Sequence, residues 1–321
     1  INDYQLEEIA KKLIKSAKEC GAHYVKFQIF NAGEYVTKSA PQAKYQIKNL
    51  KKKTSQFKMI KRLELTKKDF LEIYKYTKKI KINFLASCFD LKSLKFYSNL
   101  SPTHYKIPSG EITNLPLLKA IGKKKKKVLL STGMANFTEI SDAVNILLKC
   151  GTVRKNLTIL QCTTDYPTKP SDANLLVIPE LRKKFSCKVG YSDHTDGFFT
   201  SVSAMTMGAS VIEKHITLNK KLKGPDHKAS LDINEFKKFV EILKNTEASF
   251  GKKKKTPTVN EKKNLLVVRK SLVAIQKIKK GQKFTLNNIG IKRPGYGINP
   301  MKIDKILGKK AKKNYEEDSL I

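Results

Sequence analysis

Short apolar runs and amphipathic stretches follow one another along most of this chain with a regularity that few architectures accommodate. Strand-like runs fall at 24–29, 83–87, 104–108, 127–131, 157–162, 187–191 and 210–216. Helix-like stretches fall at 6–20, 67–79, 91–99, 115–121, 137–150, 174–184, 200–207 and 234–247. In the first of these Leu6, Ile9, Ala10, Leu13, Ile14 and Ala17 share one face, and Gly21 ends it. A long polar excursion separates the strand run at 24–29 from the helix at 67–79, which Thr66 caps. Seven strands and eight helices in alternation imply a parallel sheet, and units of this size predict a (β/α)8 TIM barrel. The chain opens at Ile1 on a helix, so the first strand of a closed barrel is expected upstream of it. An open doubly wound sheet is the second choice, and no Gly-rich turn after the first strand supports it.

The texture changes after residue 250. Lys252 to Lys255, Pro257 and Glu261 to Lys263 read as a linker over 251–263 between a barrel at 1–250 and a small β-rich domain at 264–321. Short strand runs are expected there at 267–275 and 283–285. A formal charge of +37 invites a nucleic-acid reading. Arginine, the residue suited to bidentate phosphate and base contacts, occurs only five times, and the lysines are spread over every segment. They are therefore expected to cover solvated faces. Five scattered cysteines without a CxxC pair fit a reducing cytoplasm, and no apolar run is long enough to span a membrane.

A barrel of this kind carries its chemistry at the C-terminal strand ends. Collected there are Lys26 and Gln28, Ser87, Lys106 with Ser109 and Glu111, Ser131, Thr163, Thr164 and Tyr166, Ser192 with His194, and His215. Two lysines and four serines would cradle a phosphorylated anion, although lysine also snorkels outward with ease. His194 and His215 close neighbouring strands, so both imidazoles could share one divalent ion and leave positions open for water and substrate. Singly, each would be an ordinary hydrogen-bonded strand-end residue. Glu111 offers an acid or base, and Asp226 a second carboxylate.

Lys26-Phe27-Gln28, the run from Ile107 to Asn114, Leu130 to Met134, Tyr191 to Thr195, Ile212 to His215 and Gly224 to Ser230 together resemble the bacterial sialic acid synthase family. That family comprises N-acetylneuraminate, legionaminate and pseudaminate synthases. The similarity continues through Arg269 to Ala274 and Lys292 to Gly295, so it spans essentially the whole chain. It implies a barrel followed by an antifreeze-protein-like (SAF) domain, exchanged between the subunits of a homodimer. It also implies condensation of phosphoenolpyruvate with an N-acyl hexosamine and water, releasing phosphate. The first reading is N-acetylneuraminate synthase acting on N-acetylmannosamine; the alternative is a legionaminate or pseudaminate synthase acting on a 2,4-diacetamido-6-deoxy hexose. By the same resemblance Lys26, Ser87, Lys106, Ser109, Ser131 and Ser192 hold phosphoenolpyruvate, and Gln28, Tyr166, Asp226 and Arg293 contact the sugar. Glu111, Asp226, His194 and His215 form the catalytic set, with His194 and His215 as ligands of Mn2+ or, alternatively, Mg2+ or Co2+.

The sequence departs from the family at its start, where Ile1-Asn2-Asp3-Tyr4 stands for an Asn-His-x-Gly word, and Thr164 stands where some members have Asn. A catalytically impaired paralogue and a polyanion-binding protein are the remaining alternatives. Steep salt dependence of binding would mark the latter.

Overall fold

The computed structural model describes residues 3–50, 54–222 and 224–321, and the chain divides into two units, Ile1–Phe250 and Gly251–Ile321. In the first unit the strands are β1 Tyr24–Ile29, β2 Asn83–Cys88, β3 His104–Ile107, β4 Lys127–Ser131, β5 Leu157–Cys162, β6 Lys188–Asp193 and β7 Ile212–Lys214. They pair in parallel and in sequence order, β1 to β7, each joined to the next through at least one helix. This is the sheet of a TIM barrel, as the alternation predicts.

Strand alternation sorts the side chains into two faces. Outward go Ile29, Ala86, Tyr105, Ile107, Val128, Leu130, Ile159, Val189 and Tyr191, which pack into the main core with Leu117, Leu118, Ile121, Val144, Leu147, Ile178 and Leu181 of the surrounding helices. The opposite face begins apolar, with Leu85, Leu129 and Leu160 in one cluster. Two residues further along each strand it turns polar. Gly190 belongs to this inner face: a Cβ there would lie 2.5 Å from both Leu160 Cδ2 and Val211 O, so only glycine lets β5, β6 and the segment before β7 close up.

Helix starts follow sequence signals. Thr66 with Asp69, Asn136 with Glu139 and Asp232 with Glu235 each form a reciprocal capping box. Two expectations need correction. The polar excursion contains the short helices Ala32–Tyr35, Lys44–Leu50 and Gln56–Lys61, with Ala32, Met59 and Ile60 in a small core of their own. The stretch read as linker turns helical at Val259–Val268, where Thr258 and Glu261 make another capping box. That helix also takes the first residues of the expected strand at 267–275.

In the second unit β8 Ser271–Ala274 and β9 Ile289–Lys292 pair antiparallel over a core of Ala274, Ile278, Phe284, Ile289 and Ala311. The run at 283–285 contributes only an isolated bridge, Lys283 to Lys310. Asp3 opens the helix Asp3–Glu19; Ile1 and Asn2 of the divergent first word lie outside the described residues. Among the described residues, no helix is long and apolar enough to cross a membrane.

Candidate active site at the strand ends

Register decides which side chains meet. Ser87 of β2 is the partner of Lys106 of β3, Ser131 of β4 of Leu160, Cys162 of β5 of Ser192, and Ser192 of β6 of Glu213. One step outward in the pairing, Asp193 faces Lys214. One step further, His194 and His215 leave their strands on the inner face. The alternation that sends the Asp193–Lys214 pair into the wall therefore sends both imidazoles inward.

Asp193 and Lys214 are almost wholly buried and lie 3.0 Å apart. Asp193 also accepts hydrogen bonds from Thr195 N and Oγ1 (both 2.8 Å), Thr200 Oγ1 (3.1 Å) and Ser201 Oγ (2.5 Å). Its charge is thus fully matched, as a buried carboxylate requires.

The six predicted anion-binding residues lie on these strands or in the turn that follows, and the structure links four of them, Lys106 to Ser131 directly and Lys26 and Ser192 through Glu213. Lys106, 2 % exposed, donates to Ser131 Oγ at 2.6 Å and to Glu213 Oε2 at 3.0 Å. Lys26 donates to Glu213 Oε1 at 2.8 Å, and Ser192 Oγ donates to the same oxygen at 2.9 Å. Both lysines therefore turn inward, which rules out the outward snorkelling that so lysine-rich a chain made plausible. Burial lowers the Lys106 ammonium, and Glu213 opposes that shift. Burial pushes the Glu213 carboxyl up, but Lys106 and Lys26 outweigh it and hold it well below the usual range.

Ser87 Oγ and Thr164 Oγ1 are buried without a hydrogen-bond partner. Buried hydroxyls are seldom left so, and both are free to meet a ligand. Ser109 Oγ accepts from Gly133 N at 3.0 Å, and a Cβ on Gly133 would fall 2.3 Å from Thr164 Oγ1 and 2.8 Å from Ser109 Oγ. Glycine there keeps this corner of the cradle open.

The imidazoles of His194 and His215 have ring centroids 5.3 Å apart. Tyr166 packs against both, at 4.1 Å and 5.7 Å. His194 Nδ1 lies 2.7 Å from Thr163 O, a contact that places a proton on Nδ1 and makes Nε2 the nitrogen available to a ligand. Burial, reinforced by His194 and Lys26, lowers His215 to about 3, so its ring is neutral at physiological pH. The two rings lie near each other and are donors of the kind a divalent ion takes. Among the described residues, no group of three or more His, Cys, Asp or Glu side chains gathers to hold a metal. His194 and His215 are therefore the two side chains that would hold an ion here.

The remaining residues divide. Burial raises the Asp226 carboxyl, and His194 and Lys26 act in the opposite direction. Glu111, in the turn Ser109–Glu111, is buried and accepts from Asn114 Nδ2 at 2.6 Å; burial raises it, Asn114 partly offsets this, and Asp90 adds to it. Gln28 is exposed at the end of β1, opposite Ser87. Arg293 follows β9 in the second unit, exposed.

Sequence reasoning missed two residues. Glu213 was legible only as the residue two before His215, hence on the same face. Tyr45, on a helix of the excursion, packs at a tilt against Tyr166 with ring centroids 5.1 Å apart, and no periodic signal marks it.

The profile of the NeuB family matches residues 13–255, and that of the SAF domain matches residues 269–321. The chain is 47% identical over 313 residues to N,N'-diacetyllegionaminic acid synthase of Campylobacter jejuni, covering 98% of this chain and 94% of the relative. It is 34% identical over 317 residues to N-acetylneuraminate-9-phosphate synthase of Mus musculus, covering 98% and 87%. A solved structure of N-acetylneuraminic acid synthetase from Leptospira borgpetersenii superposes with a TM-score of 0.70 at 30% identity, covering 80% of this chain and 85% of the other.

Proposed function

The chain belongs to the NeuB family, and on that premise we propose that it joins phosphoenolpyruvate to an open-chain 2,4-diacetamido-6-deoxy hexose, giving a legionaminic-type nonulosonic acid. The observation that carries the choice of sugar is the 47% identity to a legionaminic acid synthase, against 34% to an N-acetylneuraminate-9-phosphate synthase. N-Acetylneuraminate synthase, the reading that comes first from the sequence, is thereby the second.

In this proposal Lys26, Lys106, Ser87, Ser109, Ser131 and Ser192 receive the phosphate and carboxylate of phosphoenolpyruvate. The two orphan hydroxyls and the two inward ammonium groups support that assignment. The C=C π pair of phosphoenolpyruvate forms one C–C bond to the aldehyde carbon; the aldehyde C=O π bond opens to an alkoxide that takes up a proton, and C2 is left electron-poor. Water adds to C2, and the C2–O bond to phosphate breaks. Glu111, its carboxyl raised by burial, is the group suited to take the proton from that water. The ammonium groups offset the charge on the departing phosphate.

His194 and His215 would hold a divalent ion, Mn2+ by family habit, which when bound polarises the sugar aldehyde. Tyr166 and Asp226, beside the imidazoles, would orient the sugar, with Gln28 at the rim. Arg293 is proposed to serve a site across a homodimer. Exposed Val259, Leu266, Val267 and Val268 on the helix Val259–Val268 are consistent with a surface that another subunit covers. The five free cysteines fit a cytoplasmic setting.

Phosphate release from phosphoenolpyruvate with Mn2+ tests the reading, with N-acetylmannosamine and the two 2,4-diacetamido-6-deoxy hexose isomers as acceptors. Release with the isomer that leads to legionaminic acid is expected. Release with N-acetylmannosamine alone would restore the N-acetylneuraminate assignment.

A further inference from the structure

A carboxylate stands in the middle of the anion cradle, between its two cations. Glu213 Oε1 accepts from Lys26 at 2.8 Å and from Ser192 at 2.9 Å, and Oε2 accepts from Lys106 at 3.0 Å. Through Lys106 it also reaches Ser131. Its three donors come from β1, β3 and β6, and Lys106 carries the network on to Ser131 of β4, so one side chain on β7 ties together groups from four other strands.

We propose that Glu213 is the positioning residue of the cradle, fixing Lys26, Lys106 and Ser192 in the arrangement that receives phosphoenolpyruvate. The inference rests on the substrate reading above. An ammonium has three N–H donors. Lys106 gives one to Ser131 and one to Glu213 and keeps one; Lys26 gives one to Glu213 and keeps two. The donors kept back, together with the unpartnered Ser87 hydroxyl, are the ones an anion would meet. Without Glu213 the two ammonium groups would repel each other, and the flexible stem of Lys26 would release its head toward solvent. The buried Lys106 would stand uncompensated. A brace that merely held strands together would need no carboxylate oxygen for each lysine, nor a third bond to Ser192.

Calorimetric titration of phosphoenolpyruvate into the wild-type protein, Glu213→Gln and Glu213→Asp tests this, alongside KM for each substrate and thermal melting. Glu213→Gln is expected to weaken phosphoenolpyruvate binding by about 10- to 100-fold, the range of a charged hydrogen-bond set. The loss should appear in KM for phosphoenolpyruvate and not in KM for the hexosamine. Glu213→Asp keeps the charge but is too short to span both lysines, so it should fall between the other two. It decides the matter if the glutamine variant does not fold. Binding to both variants as tight as to wild type, or tighter, would make Glu213 a competitor for the lysines and overturn the inference alone. A wild-type protein that binds no phosphoenolpyruvate would overturn the substrate reading, and this inference with it.

Discussion

Replacing Asp193 by asparagine should cost the barrel unit much of its stability although Asp193 touches no proposed substrate group. Its carboxylate is buried, pairs with Lys214 at 3.0 Å, and accepts four further hydrogen bonds from Thr195, Thr200 and Ser201. Asparagine keeps the shape but turns one acceptor into a donor and leaves the Lys214 ammonium buried without a counter-charge. Breaking a buried pair from one side costs about 3–5 kcal/mol. Against a total of about 5–15 kcal/mol for a folded domain, that is a large fraction. At about 2–4 °C per kcal/mol for a unit of this size, the melting temperature should fall by about 10 °C. Urea titration followed by circular dichroism gives the free energy directly. Lys214→Met should cost less, because Asp193 keeps its hydroxyl and amide donors, and the double variant should lose less than the sum of the single losses by about 1–3 kcal/mol. An Asp193→Asn variant within about 1 kcal/mol of wild type, or two losses that simply add, would refute the reasoning.

Three other perturbations separate function from stability. Ser87→Ala removes a buried hydroxyl that satisfies nothing, so urea midpoints should hold or rise while KM for phosphoenolpyruvate increases; a clear loss of stability would show the hydroxyl to be bonded. Glu111→Gln should lose turnover yet be more stable than wild type at neutral pH. The raised carboxyl of Glu111 favours folding fully only below its unfolded pKa, and that contribution is lost as pH rises through the folded value. The advantage of glutamine in melting experiments should therefore vanish below about pH 4, and a glutamine variant less stable at pH 7 would contradict the sign. Gly133→Ala must displace Thr164 Oγ1 and Ser109 Oγ, which a Cβ would approach to 2.3 Å and 2.8 Å. Overpacking of this kind costs about 1–3 kcal/mol, and Kd for phosphoenolpyruvate should rise with it; unchanged binding would show that this corner of the cradle is not used.

The alternating strands and helices were legible because each carries its period over enough residues to be counted, and the two histidines because both sit one step past a strand end. The excursion helices escaped because elements such as Ala32–Tyr35 and Gln56–Lys61 are too short to show a period. The helix Val259–Val268 could have been read: Thr258 and Glu261 have capping-box spacing, and the surrounding lysines obscured it. Lys26 and Lys106 are legible as strand lysines that face the interior, and they do, but nothing local says that Glu213 joins them. Which acid answers which base is set by strand register, and register follows from the assembled sheet.

The same clamp bears on how the protein folds. Lys26 and Glu213 lie 187 positions apart in the chain, and Lys106 and Glu213 lie 107 apart. Closing loops of that length costs entropy before any contact returns it, so interactions of such high contact order form late. A chain that has not yet laid down β7 has helices and a partial sheet but no anion cradle. A phosphorylated ligand held by these groups would bind only the finished sheet, and by mass action would draw partly folded chains toward it.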